Sequence, residues 1–240
     1  MRSADGSRSR PFTRAWFVSL ILGATLALLL AAMPTPAAGA TRTWTGLGAS
    51  NLWNDALNWS GVAVPGAADT AVFDGTSAKP ATLNINVSVS GLAVNVGYGG
   101  TLTQAAGTTL TLGAVGFSQA AGTFAGGTGL MTVNGPFSLT GGTFTSTSGT
   151  LTVTGNFTKG AGTYLPNGGT VSFSTSAATI DLGGSATFNN VTLASGVKTL
   201  AAGTTLIVNG ATALTAATLN GTGTLAARGA LSQADRKSVV

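Results

Sequence analysis

Large apolar residues recur every twenty positions through the middle of this chain. Phe117, Phe137 and Phe157 share one column of that frame, and Phe124, Phe144 and Tyr164 share another. The pairs Gly122-Thr123, Gly142-Thr143 and Gly162-Thr163 stand just before the second column, while Val133, Val153 and Phe173 close each unit. Between these landmarks polar and apolar residues alternate over short distances, the period of a half-buried strand. Thr82 to Val89 is the longest such run, and 109–112, 150–154 and 204–208 repeat the pattern. Asn134-Gly135, Asn167-Gly168, Asn209-Gly210 and Asn220-Gly221 punctuate these runs as turns.

Strands this short suit a sandwich, a barrel or a parallel β-helix, and the columns choose between them. Successive strands of a sandwich have no reason to repeat at constant spacing. In a solenoid each coil sets its residue about 4.8 Å above the equivalent residue of the coil before. The predicted fold is therefore all-β: a single-stranded, right-handed parallel β-helix with coils of about twenty residues, spanning 80–234. Outside 113–173 the frame loosens. Thr103-Gln104-Ala105-Ala106-Gly107-Thr108 is echoed by Ser118-Gln119-Ala120-Ala121-Gly122-Thr123 only fifteen residues later, which predicts coils of variable length.

Residues 41–79 have a different character. Trp44, Trp53 and Trp59 are three of the four tryptophans in the chain, and Asp55, Asp69 and Asp74 fall in the same stretch. A solenoid exposes strand edges and apolar interior at its first coil unless something covers them. The segment is expected to be that cover, with Trp44, Trp53, Trp59 and Phe73 as its core. The competing reading is a ligand platform on which sugar rings stack on Trp53 and Trp59 beside Asp55. The three aspartates also admit two roles, as oxygen ligands for Ca²⁺ or as caps of turns, and turn capping is commoner.

Composition narrows the chemistry. The net charge of +5 looks like a nucleic-acid signal, but much of it lies in the arginines at positions 2, 8, 10 and 14. Between 41 and 234 the five basic residues face four acids and form no run. A phosphate-tracking surface needs clustered Lys and Arg, so nucleic acid is not an expected partner. His, Cys and Glu are absent altogether. That removes disulfides, thiolate metal sites and the usual hydrolase triads. A glycosidase needs two carboxyl groups across the scissile bond, and Asp181 is the only acid within the coils. Asp181 with Lys159 or Lys198 is the one remote candidate for lyase chemistry. No catalytic residue, metal ligand or cofactor is assigned. Thr109-Leu110-Thr111 and Thr150-Leu151-Thr152 suggest an ice-binding face as a minor alternative. The neighbouring Asn134, Thr154 and Ser174 vary, so the outward columns are expected to drift.

The two termini carry their own readings. Arginines precede an apolar run from Ala15 to Ala32, and Ala38-Gly39-Ala40 follows as a small-x-small tripeptide. Residues 1–40 thus read as a signal peptide cleaved after Ala40, with an uncleaved membrane anchor as the alternative. At the other end, residues 235–240 break the composition abruptly. They are either a natural polar tail or the translation of GATCGGAAGAGCGTCGTG, a common sequencing-adapter string.

Thr43-Trp44-Thr45-Gly46, Asn58-Trp59-Ser60, Val64-Pro65-Gly66 and 69–73 together resemble the opening of secreted bacterial β-helix proteins of the autotransporter and surface-adhesin type. The stretches 169–173 and 186–193 resemble their repeat coils. The resemblance implies a secreted or cell-surface protein, adhesive, with no catalysis in the solenoid. Its expected partners are host or environmental glycans or surface proteins. Membrane contact is expected only through the signal segment or a missing C-terminal region. The alternative function is a secreted carbohydrate-binding or polysaccharide-cleaving β-helix.

Overall fold

The computed structural model describes residues 39–234. The expected signal segment 1–40, apart from Gly39 and Ala40, and the 235–240 tail lie outside the described residues. Twenty-one short strands and two 3-10 turns make up the described chain. Every strand pairing is parallel, and the strands wind as a β-solenoid of about 8 turns.

Each full coil has three faces. The first carries strands such as Met131–Val133, Thr150–Val153 and Thr170–Phe173. The second carries Thr70–Phe73, Phe137–Leu139 and Phe157–Lys159, and the third Thr123–Ala125, Thr143–Thr145 and Thr163–Leu165. Four longer strands (Val87–Val94, Leu110–Gln119, Asn190–Leu200 and Thr212–Gly221) continue around the corner from the first face to the second. They join the ladders of those two faces into one sheet of 13 strands.

The twenty-residue columns are the interior. Phe117 pairs in register with Phe137, and Phe137 with Phe157, on the second face. Their rings stack at centroid distances of 4.9 Å and 4.4 Å. Phe124, Phe144 and Tyr164 form the matching ladder on the third face, at 4.9 Å and 5.8 Å. The two ladders meet edge to face, Phe144 lying 5.2 Å from Phe117 and 4.9 Å from Phe137. Each such pair adds about 0.5–1.5 kcal/mol beyond the burial itself. Val133, Val153 and Phe173 line the first face in register.

Glycine in the Gly-Thr pairs has a local cause. Gly122 and Gly142 hold φ of +59° and +68° at the corner before the third face. A Cβ on Gly142 would also lie 2.5 Å from the Ala121 and Gly122 carbonyl oxygens of the coil below. Both the backbone angle and the space demand a residue without a side chain.

Outside the central coils the register accommodates extra residues at corners. Leu92 pairs with Phe117 and Phe157 with Ile180, advances of twenty-five and twenty-three residues. The glutamine echo proves to be a corner device and not a coil repeat. Gln104 ends a third-face strand and Gln119 a second-face strand, so the two copies occupy different corners. Both side chains turn inward and bond backbone carbonyls: Gln119 Nε2 donates to Ala121, Gly122 and Thr143, and Gln104 Nε2 to Thr108 and Leu130. The run from Thr82 to Val89 is also not one strand. It bends at 84–86 between Ala81–Leu83 and Val87–Val94. Asn86 Oδ1 accepts from the Thr109 amide of the next coil, and Ile85 faces outward.

Candidate functional surfaces

At the N-terminal end the chain stops repeating. Thr41–Thr43 pairs with Thr70–Phe73, and Trp44 then bridges Trp59 in the antiparallel sense. Trp44, Trp53, Trp59 and Phe73 pack together, with Trp53–Trp59 at 4.6 Å and Trp44–Trp59 at 5.2 Å. All three indoles are at most 1% exposed. Trp59 Nε1 donates to the Trp53 carbonyl at 2.7 Å and Trp44 Nε1 to the Lys79 carbonyl at 3.0 Å. In this arrangement Trp53 and Trp59 offer no ring face to a sugar. Asp55 is half-buried beside them and faces the backbone.

Each aspartate of the segment is engaged. Asp55 accepts from Ser50 Oγ at 2.7 Å and caps the Ala56–Asn58 turn through the Leu57 amide at 3.1 Å. The Ser50 hydroxyl, first among several causes, holds its carboxyl below the usual range. Asp69 accepts from the Gly66 and Ala40 amides, which lower its pKa most, and lies 3.6 Å from the Arg42 guanidinium. Asp74 accepts from the Thr76 amide at 2.8 Å. Among the described residues no three carboxylates gather as a metal site.

Two residues that pattern reasoning passed over hold this end together. Asn58 is fully buried, and its Nδ2 donates to the carbonyls of Ser50 and Leu52 at 3.0 and 3.1 Å. Its Oδ1 accepts from the Gly48 amide at 3.0 Å. Lys79 Nζ donates to the Gly46 and Gly48 carbonyls at 3.0 and 2.5 Å. Loop carbonyls with no strand partner are thereby satisfied from within. Only the adjacency of Asn58 to Trp59 hinted at this role, because a single polar residue has no period.

Within the coils, Asp181, Lys159 and Lys198 do not come together. Asp181 stands at an outward position of the second face, paired with Thr158, and accepts from the Gly183 amide. Lys159 Nζ donates to the Gly160 carbonyl. Lys198 is 0% exposed and inward, and its ammonium donates to the carbonyls of Thr175, Ala194 and Ser195. Burial lowers the Lys198 pKa. Among the described residues the ion pair is Arg42–Asp69. An open groove of about 170 Å³ runs along the second face past Asn156, Thr179 and Thr199. Ligand sites for small molecules are typically about 300–1,000 Å³ and concave, so this groove is small for one.

The outward columns are more regular than the sequence predicts. On the first face Ser88, Thr111, Thr132, Thr152, Ser172 and Thr192 stand in unbroken register. On the third face Thr101, Thr123, Thr143 and Thr163 do the same. The drift seen at Asn134, Thr154 and Ser174 belongs to the flank of the first ladder, not to its centre. The segments that form the first and third faces carry no Asp, Lys or Arg among the described residues.

No protein-family model, curated protein or solved structure matches this chain.

Proposed function

We propose that this chain is an exported, noncatalytic β-solenoid acting as an adhesin-like or structural element outside the cell. The observation that carries the reading is the contrast between inside and outside. The interior of the central coils is a packed stack of side chains, while two long faces present charge-free hydroxyl ladders about 4.8 Å apart per coil. Such faces bind extended hydroxyl-bearing partners by many weak contacts and provide no acid or base to turn one over. The apolar segment before Ala40 supports export. Attachment is through that segment or through further sequence.

Two experiments test this reading. A reporter enzyme active only outside the cytoplasm, fused after residue 60, should be active in a bacterial host; an inactive, cytoplasmic fusion contradicts export. Beads coated with the chain should bind host or environmental glycans or surface proteins in an array without consuming them. Release of unsaturated sugars from a polysaccharide overturns the noncatalytic reading. The hydroxyl ladders favour a second reading, an ice-binding face. Thermal hysteresis that disappears with Thr123→Tyr and Thr143→Tyr supports it, and its absence in the parent chain rejects it.

A further inference from the structure

Four Asn-Gly pairs lie in the coils, and neighbouring coils lock the glycine of three of them. Gly135 is buried, and a Cβ there would strike the Ala114 carbonyl of the coil below. The Gly210 amide donates to the Asn189 carbonyl at 2.7 Å, and Asn209 Oδ1 accepts from the Arg228 guanidinium at 3.2 Å. Asn220 and Gly221 pair in the ladder with Thr199 and Leu200, and a Cβ on Gly221 would strike the Leu200 carbonyl. Asn167-Gly168 is the exception. It occupies the corner between Thr163–Leu165 and Thr170–Phe173. Gly168 is exposed with φ of +74°, and nothing lies within 4 Å of where its Cβ would stand. Among the described residues no hydrogen bond reaches its amide, and Asn167 Nδ2 donates to the Gly126 carbonyl at a long 3.4 Å.

We propose that Asn167 is a site of spontaneous modification, at which the side-chain amide is lost and a carboxylate takes its place. The nucleophile is the Gly168 backbone nitrogen, once its proton has passed to a solvent base. It attacks Asn167 Cγ, the Cγ–Nδ2 bond breaks, and Nδ2 leaves as ammonia with a proton from water. The five-membered succinimide then takes up water at one of its two carbonyls. Opening gives Asp at position 167 or its β-linked isomer. Closure needs the nitrogen to come within about 3–3.5 Å of Cγ in an aligned pose, which requires a backbone free to turn. Glycine without close neighbours has that freedom, and an unbonded, exposed amide admits the base. The other three pairs have the same two residues without the freedom. The first and third faces, which this corner joins, carry no ionised side chain. Modification therefore sets a negative charge between two neutral hydroxyl ladders, and the β-linked isomer also lengthens the corner by one backbone carbon.

The full-length chain is kept folded in mildly alkaline buffer, sampled over days and digested. Mass spectrometry with fragmentation that separates Asp from its β-linked isomer then follows each pair. Asn167 should convert at least tenfold faster than Asn134, Asn209 and Asn220. In urea the four rates should draw together, because all four glycines are then equally free. Gly168→Ala should slow conversion at 167 at least tenfold in the folded chain while far-UV circular dichroism stays the same. Equal rates at the four sites in the folded chain overturn the proposal, as does another site converting first. A lead for Asn167 that persists unchanged in urea overturns it too, since the neighbouring sequence and not the corner would then set the rate. Should Gly168→Ala fail to fold, the comparison of folded and urea-unfolded parent chain still decides.

Discussion

The first and the last described coils of this solenoid differ in how their apolar interior is covered. At the N-terminal end the apolar interior is covered by three indoles and Phe73, and the loops around them are tied by Asn58 and Lys79. In the last described coil the inward column reaches Leu231, which is 62% exposed. The difference shows that a repeat holds no instruction for its own ending. Stacking is satisfied by any next coil, so closure needs residues that do not repeat, and among the described residues 41–79 supply them.

The largest effect is expected where closure is built. Trp59→Ala removes the ring that touches Trp44, Trp53 and Phe73 and should cost about 3–5 kcal/mol in urea unfolding. A loss below about 1 kcal/mol would erase the contrast between the first and last described coils. Asn58→Ala should come next, at about 1–3 kcal/mol, because it strands the Gly48 amide and the Ser50 and Leu52 carbonyls away from water.

Alkaline pH sharpens the comparison further. Burial pushes the Tyr98 hydroxyl up to about 12 and raises Tyr164 as well. In the unfolded chain both ionise near pH 10. Folded protein keeps protons that unfolded protein releases, so their contribution is intact below pH 10 and declines as pH climbs toward the folded values. Lys198, lowered by burial, works in the opposite sense. Tyr98→Phe should therefore flatten the loss of stability between pH 10 and 12, while Lys198→Met should remove a rise in stability with pH that is complete near the ordinary lysine value of about 10.5. The smallest effect is expected in the last described coil. Leu231→Ala should change stability by less than about 0.5 kcal/mol.

The same comparison explains what could be read in advance. The columns of Phe117, Phe137 and Phe157 were legible because every coil demands the same thing of one position, and repetition turns a packing requirement into a sequence pattern. Corners were less legible. Gln104 and Gln119 look alike because both feed amide donors to stranded carbonyls, yet they serve different corners, so their fifteen-residue spacing misleads. Alternation likewise hid the bend at 84–86, since Asn84 and Asn86 fit a strand's polar positions and a corner equally well. In the candidate site, Trp53, Trp59 and Asp55 were visible as residue types, but their orientation was not. An indole reads the same in a sequence whether its faces meet solvent or other rings. Asn58 and Lys79 gave no periodic signal because their partners are backbone amides and carbonyls, which nearly every residue has.

The central claim is that a coil of twenty residues, set by interior columns, is the unit of this fold. Deleting 137–156 joins Pro136 to Phe157 and sets Phe157 above Phe117 and Tyr164 above Phe124. Deleting only 147–156 instead shifts every later column by half a coil. Urea titrations followed by far-UV circular dichroism compare the two. The account predicts cooperative unfolding for the twenty-residue deletion, with a slope about a tenth lower than the parent chain, and no cooperative transition for the ten-residue deletion. Equal behaviour of the two deletions, folded or unfolded, would contradict it.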